Sequence, residues 1–179
     1  MRQTAADLEA ALRSRIREVA DYPRPGIVFK DISPLLADPD CFAAAVDAVT
    51  GRYGGTPPDK VVGIEARGFI LAAPIAYNLG AGFVPVRKAG KLPGPTYAES
   101  YDLEYGSATL EVHRDAFAPG DRALIVDDVL ATGGTAAATR RLVGRAGATV
   151  TGLSVLIELP ALGGRDRLAG LEVHAVLAG

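Results

Sequence analysis

Residues 123–135 read ALIVDDVLATGGT, and this run restricts the fold more than any other part of the sequence. Ala123, Leu124, Ile125 and Val126 form an apolar, β-rich stretch of the kind that makes a parallel strand covered on both faces. Asp127 and Asp128 stand where that strand is expected to end. Ala131, Thr132, Gly133, Gly134 and Thr135 follow, and an alanine-rich helical stretch starts at Ala136. This order puts a turn at the carboxyl edge of a sheet, opening onto a helix N-terminus, which is where open α/β folds bind ligands. Small residues there let backbone N–H groups approach phosphate oxygens, and the helix end favours negative charge. The carboxylates would repel a phosphate, so they need another target. Vicinal hydroxyls of a ribose suit them, because each carboxylate accepts a strong hydrogen bond from an O–H. An acidic pair or a Gly-Gly turn alone is as often a cap or a simple turn. Joined in this order, they read as a cradle for ribose 5-phosphate.

The rest of the chain reads as strands alternating with helices, which predicts an α/β fold: a single domain with a central, mostly parallel twisted sheet flanked by helices. Thr4 and Asp7 predict a helix running to about Ala20, with Leu8, Leu12, Ile16 and Val19 on one stripe. Ile27-Val28-Phe29 is a short extended piece. Asp38-Pro39 is an N-cap followed by a proline at the first helical position, for a helix to about Val49. Val61–Ile64 is a strand with Glu65-Ala66-Arg67 as its exit loop, then a helix from Gly68 to Leu79, stopped by Gly80. Phe83–Val86 is the next strand, with Pro85 suited to an edge or to a position whose N–H is not needed. Helix 134–146, strand 150–159, a short helical turn at 163–168 and strand 171–177 complete the chain. Segment 88–107 is too long and too rich in proline and glycine for a simple connection. It carries Tyr97, Tyr101 and Tyr105 and reads as a lid or excursion hairpin, with arms at Leu103–Tyr105 and Ala108–Val112 around Gly106-Ser107.

Composition narrows the function classes. The 179 residues are 49% hydrophobic and 22% charged, enough for one sizeable core. A net charge of −2 speaks against general nucleic-acid binding. The lone Cys41 forms no internal disulfide, which suggests a reducing compartment. No apolar run has membrane-spanning length and the N-terminal residues lack a signal-type core, so a cytoplasmic protein is expected. No His/Cys cluster has metal-ligand spacing. His113 and His174 lie in expected strands and read as structural.

The run at 123–135 resembles the phosphoribosyl-pyrophosphate (PRPP) signature of the type I phosphoribosyltransferases. YPRPGIVFKDISPLL (residues 22–36), VVGIEARGF (61–69), VRKAGKLPGPT (86–96) and YDLEYG (101–106) are similar to segments of the adenine-specific branch of that family. The resemblance implies the type I phosphoribosyltransferase fold over residues 1–179, with an N-terminal hood at 1–36 and a mobile lid at 88–107. It implies that adenine and PRPP give AMP and pyrophosphate, with Mg²⁺ held mainly through PRPP oxygens rather than at a dedicated metal site. Asp127 and Asp128 would hold the ribose, and Ala131, Thr132, Gly133, Gly134 and Thr135 the 5-phosphate. Glu65, Ala66, Arg67, Arg87, Lys88 and Lys91 would meet the pyrophosphate, and a cis peptide at Glu65–Ala66 is implied as well. Val28, Phe29 and Lys30 would bind the base, with Phe29 stacked on the purine. Glu104, Tyr105 and Arg67 would be catalytic, and the enzyme would be a homodimer without nucleic-acid or membrane partners.

The chemistry of such a transfer agrees with this assignment. Departure of pyrophosphate from the anomeric carbon builds positive charge on the sugar and negative charge on the leaving group, and fixed electrostatics must stabilise both. Arg67 and Lys88 suit the leaving group, and a carboxyl such as Glu104 suits proton transfer at a purine nitrogen. Two alternatives stay open: a phosphoribosyltransferase for another purine base, and a non-catalytic PRPP-sensing regulator on the same fold.

Overall fold

The first helix is shorter than its apolar stripe predicts. In the computed structural model, which describes residues 5–102 and 106–178, α1 spans Ala5–Ser14 and the chain then enters strand β1, Arg17–Ala20. β1 pairs antiparallel with β2, Val28–Asp31, in the register Arg17↔Asp31 to Ala20↔Val28. The turn between them is closed by the Tyr22 N–H on the Ile27 carbonyl (3.2 Å) and the Gly26 N–H on Asp21 Oδ1 (2.7 Å). The expectation of a helix to Ala20 is thus corrected. Ile16 and Val19 are β-branched, and a cross-strand ladder overrides their helical spacing.

A short helix α2 (Ser33–Ala37) and a longer α3 (Pro39–Tyr53) follow. Asp38 caps α3 as expected, its Oδ1 accepting the N–H groups of Asp40 and Cys41, both at 3.1 Å. The bond from Cys41 leads in holding the Asp38 carboxyl below the usual carboxylate range. The chain forms two compact units, Met1–Ala48 and Val49–Gly179.

The second unit contains β3 (Lys60–Ile64), α4 (Arg67–Leu79), β4 (Gly82–Lys88), β5 (Thr96–Asp102), β6 (Ser107–His113), β7 (Arg122–Leu130), α5 (Gly134–Arg145), β8 (Thr149–Glu158) and β9 (Val173–Ala178), with 3₁₀ turns at Pro160–Leu162 and Gly164–Leu168. Its seven strands form one mixed sheet in the order β5-β6-β4-β3-β7-β8-β9. The strands from β4 to β9 in that order run parallel, and β5 and β6 are antiparallel additions at one edge. Val62, Ile64, Val86, Ile125, Leu142 and Leu153 are fully buried in its core. This is the mostly parallel α/β sheet expected from the alternating pattern.

Pro85 lies inside this sheet at no cost to a ladder. The Gly82 N–H bonds to the Asp59 carbonyl and the Val86 carbonyl accepts from Glu65, so the even-numbered residues of β4 bond toward β3. The nitrogen of Pro85 therefore faces the β6 side, where pairing begins only at Arg87↔Glu111.

Two expectations about the sheet need correction. β7 does not end at the acidic pair but continues to Leu130, paired with β8 as far as Glu158. On its other flank the ladder to β3 stops at Val126↔Gly63. Asp127 and Asp128 thus follow the last residue that β3 covers. The hairpin is also longer than expected: the arm Ala108–Val112 lies within β6, Leu103–Tyr105 lies outside the described residues, and β5 before it already starts at Thr96 and pairs with β6 from Thr96↔His113 to Asp102↔Ser107. Tyr97 and Tyr101, an even number apart, share one face of β5 and pack against the core.

Candidate active site

The β7–α5 turn encloses a cavity of ≈80 Å³ lined by Asp127, Leu130, Val155 and the loop Ala131–Thr135. Gly133 and Gly134 are buried, and the Gly133 backbone has φ 80°. The first N–H groups of α5 have no intrahelical partner. The strand, loop and helix expected from ALIVDDVLATGGT therefore form one continuous turn beside this cavity.

The two aspartates differ in setting. Asp127 Oδ1 accepts the Asp128 N–H at 2.9 Å. Burial, then the neighbouring Asp128 carboxylate, push the Asp127 carboxyl well above its usual range. Asp128 is buried and pairs with Arg67, whose Nε stands 2.7 Å from Asp128 Oδ2. The approach is off-line, so that oxygen receives no well-directed hydrogen bond among the described residues. A buried carboxylate oxygen in that condition suits a hydroxyl donor.

Arg67 opens α4, and Gly68 lets the helix come this close. A Cβ on Gly68 would lie 2.9 Å from Asp127 Oδ1 and 3.0 Å from the Val126 carbonyl oxygen. In the exit loop of β3, the Glu65–Ala66 peptide is cis. The Glu65 carboxylate accepts from Arg87 Nε and Nη2, both at 3.3 Å, and from the Lys88 N–H at 2.9 Å. Burial opposes its ionisation, but the Lys88 and Arg87 bonds prevail and hold its carboxyl below the usual range. Glu65 thus orients Arg87, which also donates to the Lys91 carbonyl at 3.1 Å. The side chains of Lys88 and Lys91 are exposed and make no ion pair among the described residues.

Val28, Phe29 and Lys30 belong to β2 in the first unit. Val28 is exposed, Phe29 meets Tyr22 edge-on at 5.1 Å, and Lys30 pairs with Glu18. Glu104 and Tyr105 lie outside the described residues. His113 Nε2 contacts the Pro93 carbonyl at 2.7 Å and His174 Nδ1 contacts Ser154 Oγ at 3.0 Å, so both rings have structural partners.

The sequence reading missed the support behind the loop. Gly164 is wedged against it: a Cβ on Gly133 would meet the Gly164 carbonyl oxygen at 2.4 Å, and one on Gly164 would meet the Ala131 carbonyl oxygen at 2.4 Å. The Gly163-Gly164 pair at the start of the helical turn was the available signal. Tyr101, one of the tyrosines of segment 88–107, accepts the Thr135 hydroxyl on its own hydroxyl at 3.1 Å.

The mixed α/β sheet is that of the type I phosphoribosyltransferase class, and residues 40–172 match the family model of the phosphoribosyl transferase domain. An adenine phosphoribosyltransferase of Acidothermus cellulolyticus is 63% identical over 172 residues, covering 96% of this chain and 97% of that one. The crystal structure of adenine phosphoribosyltransferase from Rhodothermus marinus is 55% identical with a TM-score of 0.92, covering 97% of this chain and 99% of that one. The Saccharomyces cerevisiae adenine phosphoribosyltransferase, crystallised with adenine and an imino-altritol bisphosphate, is 36% identical with a TM-score of 0.90, covering 96% and 99%. The chain belongs to the adenine phosphoribosyltransferase family.

Proposed function

We propose that the protein transfers the 5-phosphoribosyl group of PRPP to adenine, giving AMP and pyrophosphate in purine salvage. The observation that carries this reading is the β7–α5 turn, where Asp127 and Asp128 lead without a break into the Ala131–Thr135 cradle. The 5-phosphate occupies that cradle and the ribose hydroxyls meet the two aspartates. Arg67 stands at the acidic pair and faces the leaving pyrophosphate, with Arg87, held by Glu65, and Lys88 beside it. Val28, Phe29 and Lys30 receive the base, and Glu104, with Tyr105, carries the proton at the purine. Segment 88–107 acts as the lid, which keeps water from the activated sugar during reaction.

Mg²⁺ enters on PRPP oxygens. The carboxylate oxygens of Asp127 and Asp128 at the turn are of the hard kind this ion takes. When bound, the ion neutralises charge on the departing pyrophosphate. The protein works in the cytoplasm as a homodimer on this reading. The exposed Ile70 and Tyr77, seven residues apart on one face of α4, together with exposed Phe83 of β4, support an apolar contact between copies.

The test offers adenine, hypoxanthine, guanine and xanthine with PRPP and Mg²⁺, following nucleotide and pyrophosphate. Adenine is expected to turn over fastest. Faster turnover of another base overturns the base assignment, and PRPP binding without turnover of any base favours the sensor reading.

A further inference from the structure

The loop Ala131–Thr135 holds no cationic side chain, so a phosphate there meets backbone N–H groups and the α5 helix end. The fold brings a cation to that place from another part of the chain. Arg167 lies on the 3₁₀ turn Gly164–Leu168. A Cβ built on Gly134 would lie 3.5 Å from Arg167 Nη1, and 3.6 Å from both the Asp102 carbonyl oxygen and the Tyr101 ring. Gly134 is the first residue of α5, and Cβ vectors of a helix tilt toward its N-terminus. The guanidinium therefore stands at the open end of the helix, beside the loop.

That placement is built in. Gly164, at the start of the turn, is in close contact with Ala131 and Leu130, while Leu168 at its end is buried. Between them Arg165 grips Glu158 with two bonds, at 2.7 and 2.6 Å, and donates to the Val173 carbonyl at 2.9 Å. Arg165 is thereby committed to the fold. Arg167 is exposed and makes no ion pair or side-chain hydrogen bond among the described residues. Its neighbours hold the turn in place, and none of the described residues pairs with its charge.

We propose that Arg167 is a binding residue for the 5-phosphate group of the sugar substrate and of the nucleotide product. This rests on the reading of Ala131–Thr135 as the 5-phosphate cradle. A guanidinium suits the role because its planar fork matches phosphate oxygens and it stays charged at every working pH.

The test measures binding of ribose 5-phosphate, AMP and pyrophosphate to the full-length protein by calorimetry, for the wild type, Arg167→Gln and Arg167→Lys. Arg167→Gln is expected to weaken ribose 5-phosphate and AMP about tenfold, the scale of one charge-assisted hydrogen bond at a part-exposed site. Pyrophosphate binding and the melting temperature stay unchanged, and Arg167→Lys keeps part of the affinity. Undiminished ribose 5-phosphate binding in Arg167→Gln overturns the proposal while leaving the cradle intact. An equal loss for pyrophosphate also overturns it, since the effect would then be general charge. A wild type that binds neither ribose 5-phosphate nor AMP removes the cradle reading and this proposal with it.

Discussion

The Thr135 hydroxyl donates to the Tyr101 hydroxyl across 3.1 Å, tying strand β5 to the first turn of α5. The same strand is tied to the far end of that helix. Arg141 and Arg145 bind Glu99 at 2.6 and 3.0 Å, and Arg145 also reaches the Ala98 carbonyl at 2.7 Å. These Arg bonds are led by Arg141 in holding the Glu99 carboxyl below the usual range. Strand β5 is thus clamped along the helix that begins at the Ala131–Thr135 loop. Hydroxyls exchange roles freely. On the proposed reading, a Thr135 O–H turned to a phosphate oxygen would free the Tyr101 O–H to donate to Thr135 Oγ1, and that chain of bonds would strengthen the contact.

Tyr101→Phe keeps the ring against the core and removes this donor. The expected loss is about 0.5–1.5 kcal/mol, the net worth of one neutral hydrogen bond, read as a rise of roughly 2–10-fold in KM for PRPP. Thermal melting should change little. Steady-state kinetics at fixed adenine checks it, and an unchanged KM would mean that the Tyr101 hydroxyl plays no part in phosphate recognition.

Asp127 opposes stability to function. Its folded-state pKa is raised by burial and by Asp128. The native state therefore holds a proton that the unfolded chain releases near pH ~3.9. Stability falls as pH rises from that value through the raised one, because the unfolded state binds fewer protons there. Asp127→Asn removes this penalty and retains an Oδ1 acceptor for the Asp128 N–H. The variant should melt higher than the wild type at neutral pH, with the advantage vanishing below about pH 4. It should also lose about 1.5–3 kcal/mol in kcat/KM for PRPP, the worth of a charged acceptor. Equal melting curves at pH 7 would contradict the raised pKa, and unchanged kcat/KM would contradict the ribose role.

What the sequence disclosed and what it hid follow a physical pattern. The β7–α5 turn was legible because strand, acids, loop and helix are contiguous, so local chemistry defines the site. The exit loop with Arg67 was legible for the same reason, and its meeting with Asp128 at 2.7 Å completes the site across the β3–β7 ladder. β1 was hidden because its ladder partner lies beyond a turn, and Ile16 and Val19 also satisfy a helical stripe. The start of β5 was obscured by Pro93, Gly94 and Pro95 directly before it, which mark irregular backbone. The wedge of Gly164 behind the loop was invisible, because a close approach between loops some 30 residues apart leaves only a Gly-Gly pair in the sequence.

Two glycines of the second unit respond in opposite ways to an added Cβ. A Cβ on Gly164 would meet the Ala131 carbonyl oxygen at 2.4 Å and Leu130 side-chain carbons at 3.0 Å. Backbone cannot yield as a flexible side chain does, so Gly164→Ala must push the turn and the Ala131–Thr135 loop apart. Overpacking of this kind costs about 1–3 kcal/mol, and a displaced loop raises KM for PRPP in step. Gly144 is exposed inside α5, with nothing within 4 Å of its would-be Cβ. Gly144→Ala should therefore stabilise the helix by about 0.5–1 kcal/mol through reduced backbone freedom in the unfolded chain. That corresponds to roughly 1–4 °C in melting temperature for a chain of this size, with kinetics unaltered. Differential scanning calorimetry and PRPP kinetics on both variants check the pair. If Gly164→Ala melts and binds PRPP like the wild type, the wedge behind the loop has no role in shaping the cradle.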